Sequence, residues 1–210
     1  MAPETDETVV DAGLWTAPNL ITLVRLLCIP VFVWLLFGLD APAAAALLLG
    51  LLGATDWVDG YVARRFGQVS EIGKAFDPTV DRLLLIVGVG SIIIVGAVPL
   101  WLGLVVVIRE VLLSVWVVGL LALGGARMDV TFVGKTGTFL MMAAFPAFLA
   151  ATDPRLPQWA ADVLELIAWA TAIPGLACSI VAFVGYIPRG LQSLRDGRAA
   201  AAATAGGAEP

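Results

Sequence analysis

Four aspartates, Asp56, Asp59, Asp77 and Asp81, stand between long apolar segments, in the stretch DWVDGYVARRFGQVSEIGKAFDPTVD. Each charge at a bilayer centre costs about 2.5 to 3.5 kcal/mol on insertion scales, so such groups must be shallow, facing a cavity or bound to a cation. On a helix, positions three and seven apart project to one side, which puts Asp56, Asp59 and Ala63 on a shared face and Asp77 and Asp81, four apart, on another. Two helices presenting carboxylates at one depth can enclose a hard cation. An oxygen-only donor set favours Mg²⁺ or Mn²⁺ over zinc, and the sequence has no histidine. Magnesium keeps waters and binds substrate phosphates. The surroundings suit that ligand: Gly60 leaves room beside the carboxylates, Gly73 permits close backbone approach, and Arg64, Arg65 and Lys74 offer charge to phosphate oxygens. The apolar flanks suit a lipid-linked diphosphate.

The elements that must position these groups are membrane spans. A chain of 210 residues that is 60% hydrophobic and 14% charged, with mean hydropathy +0.96, lies outside the range of soluble domains. The expected fold is an all-α integral membrane protein, a six-helix bundle. Span one is expected over about 20–39, opened by Pro18-Asn19 and kinked at Pro30. Span two begins near Ala43 and continues to about Phe66; its uncharged part, about 15 residues or 22 Å, is too short for a core of about 30 Å, which leaves Asp56 and Asp59 at shallow depth. After a connection over 67–76, span three is expected to open at Asp77-Pro78, with Asp as cap and Pro in the first turn. Its uncharged run is also short, so Asp77 and Asp81 reach the same depth. Spans four, five and six are expected over about 101–123, 132–151 and 161–187, with a bend at Pro174-Gly175.

Of the Lys and Arg residues, Arg25, Arg64, Arg65, Lys74, Arg82, Arg127, Lys135, Arg189, Arg195 and Arg198 fall on one side of these spans, Arg155 falls on the other, and Arg109 lies within a span. The positive-inside rule then puts both termini and the aspartates at the cytoplasmic face of the plasma membrane. Residues 1–14 read as an acidic flexible N-terminus without a cleavable signal, 15–195 as the membrane domain, and 196–210 as a disordered Ala/Gly-rich tail. Cys28 and Cys178 read as packing residues inside apolar runs. Trp15, Trp101 and Trp159 suit an interfacial belt, and Arg65 and Arg82 suit topology determinants. Arg109 and Glu110, adjacent on a helix, point about 100° apart and are not expected to pair.

The order Asp56, two residues, Asp59-Gly60, two residues, Ala63-Arg64, eight residues, Gly73, three residues, Asp77, three residues, Asp81 resembles the complete signature of the CDP-alcohol phosphotransferases. With the six-span plan the resemblance extends over about 15–195. It implies that Asp56, Asp59 and Asp77 bind divalent metal, that Asp81 completes the site and acts as general base, and that Gly60, Ala63, Arg64 and Gly73 carry the CDP moiety. It also implies a homodimer, and attack of an acceptor hydroxyl on the β-phosphorus of a CDP-linked lipid with release of CMP.

The start Asn19-Leu-Ile-Thr22-Leu-Val-Arg25 with Pro30, and Arg109-Glu110, are similar to the branch that makes anionic phosphoglycerides. Many phosphatidylglycerophosphate synthases read Gly-Lys-x-Lys-Thr-x-x-Gln at the start of span five. Here the segment is Gly134-Lys135-Thr136-Gly137-Thr138-Phe139-Leu140-Met141, without the second Lys and the Gln. It is more similar to the CDP-alcohol type of cardiolipin synthase, which implies CDP-diacylglycerol as donor and phosphatidylglycerol as acceptor. Arg25, Arg109, Arg127 and Lys135 are the candidate acceptor ligands. Glycerol 3-phosphate is the alternative acceptor and an inositol phosphate a third; no nucleic-acid partner is expected. A transporter, the competing class, would spread ionisable residues through the membrane thickness, whereas these cluster on one side.

Overall fold

The computed structural model describes the backbone of residues 17–66, 71–123 and 131–206, and their side chains except at 17–19, 21, 56–66, 71–79, 81, 121 and 196–206. All regular structure among the described residues is helical: α1 Ala17–Val33, running into a π-helical turn Trp34–Gly38, then α2 Pro42–Phe66, α3 Glu71–Ile94, α4 Leu100–Ala122, α5 Phe132–Ala151 and α6 Gln158–Gly206. Three stretches are long and apolar enough to cross a membrane, Leu100–Leu120, Phe132–Ala151 and Gln158–Arg195; Thr22–Gly38, Pro42–Thr55 and Arg82–Ile94 are shorter apolar helices. Large side chains such as Ile94, Leu47, Val115 and Leu166 lie open on the surface, as a membrane protein requires of its lipid-facing positions.

The chain forms two compact units, Met1–Ser91 and Ile92–Pro210. In the first, α1 and the π-helical turn that follows it bury one stripe at steps of three and four: Thr22, Arg25, Ile29, Phe32 and, in the turn, Leu36. Pro30 does not end α1. The departure from α geometry comes four residues later, where the Leu39 N–H reaches back five residues to the Trp34 carbonyl at 3.0 Å. Asp40 closes the turn in the left-handed region, at φ 46°, which a short polar side chain tolerates. Between α2 and α3, Leu49 Cδ1 lies 3.3 Å from where a Cβ on Gly88 would stand.

In the second unit the end of α3 turns on Gly96 at φ 71°, with the Ala97 N–H on the Ile92 carbonyl and the Gly96 N–H on the Ile93 carbonyl, the paired bonds of a left-handed helix stop. α5 and α6 approach closely through small residues, as the Gly- and Ala-rich spans lead one to expect. A Cβ on Gly175 would stand 2.9 Å from Leu140 Cβ and 3.3 Å from the Met141 backbone nitrogen. Further along, Trp169 meets Phe148 edge to face at 5.1 Å and stacks on Trp101 at 6.4 Å.

Two helix boundaries differ from the sequence reading. α3 starts at Glu71, so Gly73, Asp77 and Pro78 lie inside the helix and Asp77 is not its cap. Glu71, Lys74 and Ala75 favour a helix ahead of Asp77, and a proline only biases its predecessor away from helical geometry. α6 passes Pro174-Gly175 and Ile187 and continues to Gly206, well into the stretch expected to be unordered. Its alanine run has the highest helix propensity of any residue type. Residues 1–16 and 207–210, which include the acidic N-terminus, lie outside the described residues.

Candidate active site

The residues of the signature are divided between two helices. Asp56, Asp59, Gly60, Ala63 and Arg64 belong to the second half of α2, and Gly73, Asp77 and Asp81 to the first half of α3. Their side chains lie outside the described ones. Among the described residues no three His, Cys, Asp or Glu side chains come together as a metal cluster.

Three of the candidate acceptor ligands, Arg25, Arg109 and Lys135, lie on three different helices. Arg25 is 3% exposed and sits one turn from the buried Thr22 on the α1 stripe, a position that isolated arginines rarely hold. Arg109, in α4, pairs with its own neighbour: Nη1 donates to Glu110 Oε2, and the Arg side chain is 13% exposed. This corrects the expectation that the two cannot meet. The angle of 100° separates their Cβ directions, but the long stem of the arginine bends its head back across that angle. Its buried Nε has no acceptor among the described residues. Arg127 lies outside the described residues.

Lys135 is exposed in the first turn of α5. That turn is capped by Thr131, in extended conformation, whose Oγ1 accepts the Gly134 N–H at 3.1 Å. The Thr131 N–H in turn donates to the Tyr186 hydroxyl oxygen of α6 at 3.0 Å. Next along the seam, a Cβ on Gly137 would stand 2.6 Å from Ser179 Oγ and 2.9 Å from the Ser179 backbone nitrogen. Met141 is buried against Gly175. The two positions that lack the Lys and Gln are thus sealed into the α5–α6 contact. Tyr186, Ser179 and Thr131 were not singled out in the sequence; the only signal they give is the spacing of small residues at 134, 137, 175, 179 and 182, which marks a close helix pair without saying which pair.

The CDP-alcohol phosphatidyltransferase family matches residues 15–174, a span that contains α1 to α5 and the start of α6. The chain belongs to that family. As a CDP-alcohol phosphatidyltransferase it is a transferase of phospholipid biosynthesis, and its apolar helices are those of a membrane enzyme. It is 35% identical over 175 residues, 80% of each chain, to the cardiolipin synthase (CMP-forming) of Streptomyces coelicolor. It is also 35% identical over 168 residues, 74% of this chain and 86% of the relative, to the CDP-diacylglycerol–glycerol-3-phosphate 3-phosphatidyltransferase of Rickettsia bellii. The phosphatidyltransferase thus resembles one enzyme named for making cardiolipin and another named for glycerol 3-phosphate.

Proposed function

We propose that this phosphatidyltransferase moves a phosphatidyl group from CDP-diacylglycerol to phosphatidylglycerol, forming cardiolipin and CMP. In this reading Asp81 takes the proton of the acceptor hydroxyl as its oxygen bonds to the β-phosphorus; the bond from that phosphorus to the bridging oxygen breaks, and CMP leaves with the electron pair. Asp56, Asp59, Asp77 and Asp81 would hold Mg²⁺ or Mn²⁺, which when bound supplies charge stabilisation to the phosphate oxygens. Gly60, Ala63, Arg64 and Gly73 would carry the CDP moiety, and Arg25, Arg109, Arg127 and Lys135 would meet the acceptor.

Two observations support the metal assignment. The donors are all oxygen, in a sequence without histidine. The register of α2 and α3 is the second: the Leu49 side chain of α2 reaches Gly88 of α3, and in this reading α3 returns antiparallel to α2. One heptad from that contact along both helices, about 10 Å, leads to Asp56 on one and Asp81 on the other. The two carboxylate pairs then belong at one level. The excess of Lys and Arg on one side supports a six-span plasma-membrane protein with both termini and this level at the cytoplasmic face, working as a homodimer by its resemblance to the family.

The acceptor assignment is carried by Gly137. Ser179 fills the space where its side chain would begin, so positions 137 and 141 add no second cation and no amide beside Lys135 for a phosphomonoester dianion. Phosphatidylglycerol, with a singly charged phosphodiester, needs neither. Glycerol 3-phosphate is the second reading, favoured by the Rickettsia relative and by the remaining basic residues. Purified protein given CDP-diacylglycerol and Mn²⁺ should release CMP with phosphatidylglycerol. Release with glycerol 3-phosphate alone would replace the first reading by the second, and release with neither acceptor, nor with inositol phosphate, would remove both.

A further inference from the structure

Lys135 is the one charged residue of α5 and stands in its first turn, where the helix dipole disfavours a cation. A charge kept against the dipole points to a use other than helix stability. Its backbone N–H closes on the Thr131 carbonyl at 3.0 Å, so Thr131 sets its register. Thr131 is fixed from both sides. Its Oγ1 accepts the Gly134 N–H, and its own N–H, which as an N-cap group has no carbonyl within the helix, donates to the Tyr186 hydroxyl oxygen from a distance of 55 residues in sequence. Tyr186 is 6% exposed, and Gly134 makes room for it: a Cβ there would lie 2.9 Å from the hydroxyl oxygen.

We infer that Tyr186 is a positioning residue for the acceptor: by clamping the N-cap of α5 from α6, it holds Lys135 where the acceptor's phosphate binds. The inference rests on the reading of Lys135 as an acceptor ligand. It explains why a tyrosine is placed at this seam among small residues, since phenylalanine would fill the same volume and leave the part-buried Thr131 N–H without this bond.

The test uses the full-length protein in vesicles, with Mn²⁺ present and each substrate varied in turn. Tyr186→Phe keeps the ring and removes one hydroxyl; the KM for phosphatidylglycerol should rise roughly five- to tenfold, the effect of one lost hydrogen bond, while kcat and the KM for CDP-diacylglycerol stay within about twofold. Gly134→Ala, which displaces the hydroxyl instead of removing it, should shift the same constant. Lys135→Ala should also raise it, and adding Tyr186→Phe to that variant should change it little, because both act on one contact. An unchanged acceptor KM in Tyr186→Phe overturns the inference, as does a full second loss in the double variant. A parallel loss in kcat and both KM values overturns it too, since general loosening of the helix pair has that signature. If CMP is released with glycerol 3-phosphate and not phosphatidylglycerol, the acceptor reading fails, and the same comparison made with glycerol 3-phosphate still decides the role of Tyr186.

Discussion

Asp81 is the residue on which the proposed chemistry turns, because a hydroxyl can attack phosphorus only as its proton departs. Asp81→Asn keeps the shape of the side chain and removes the base; turnover should fall about 10²- to 10⁴-fold while binding of CDP-diacylglycerol persists. CMP release and a separate CDP-lipid binding measurement check the two halves of that statement. Asp56→Asn and Asp59→Asn should instead raise the Mg²⁺ or Mn²⁺ concentration needed for half-maximal rate, and chelation by EDTA should stop the wild-type enzyme. Gly137 obeys a different logic. Ser179 Oγ and its backbone nitrogen already occupy the place of a side chain there, so Gly137→Ala forces α5 and α6 apart and should cost about 1–3 kcal/mol, read as a lower melting temperature in detergent. For the same reason Gly137→Lys should destabilise the protein without converting it to glycerol 3-phosphate.

At the scale of elements, Gly96 gives a clean measure of backbone strain. It adopts φ 71° with nothing within 4 Å of a would-be Cβ, so Gly96→Ala should lower stability by about 1–2 kcal/mol through the left-handed conformation alone. Thermal unfolding checks it. The helices themselves were largely legible: apolar run lengths mark α2, α4 and α5, and the limits of α5 at Phe132 and Ala151 follow from the turn residues around it. The start of α3 was not legible, because Asp77-Pro78 has the composition of a helix opening and only the preceding turn, Glu71 to Phe76, decides otherwise. The aspartates of the proposed site stand out in the sequence by charge where charge is costly. Tyr186 and Ser179 did not, because a hydrogen bond between residues 55 apart and a contact that depends on the absence of a side chain leave no local trace in a sequence. The Arg109–Glu110 pair was misjudged from backbone geometry, which fixes Cβ directions and leaves the reach of a long side chain free.

At the scale of the whole molecule, the proposed topology sets which ends are accessible from which side. With Cys28 and Cys178 replaced by alanine, a single cysteine introduced at Ala205 should react with an impermeant maleimide only in inside-out vesicles, and one introduced at Arg155 only in right-side-out vesicles. Labelling of both from one side would remove the six-span arrangement. α6 adds a mechanical consequence. Its 49 residues make a rod of about 73 Å, against about 30 Å of hydrocarbon. Its apolar stretch, Gln158–Arg195, takes up 38 of the 49 residues, so the last turns, 196–206, carry the rod past the apolar part. A fluorophore attached near Gly206 should therefore tumble with the protein and not independently of it. Slow anisotropy decay would make this helix a ready-made rigid mast for reporting how the enzyme tilts and turns within its bilayer.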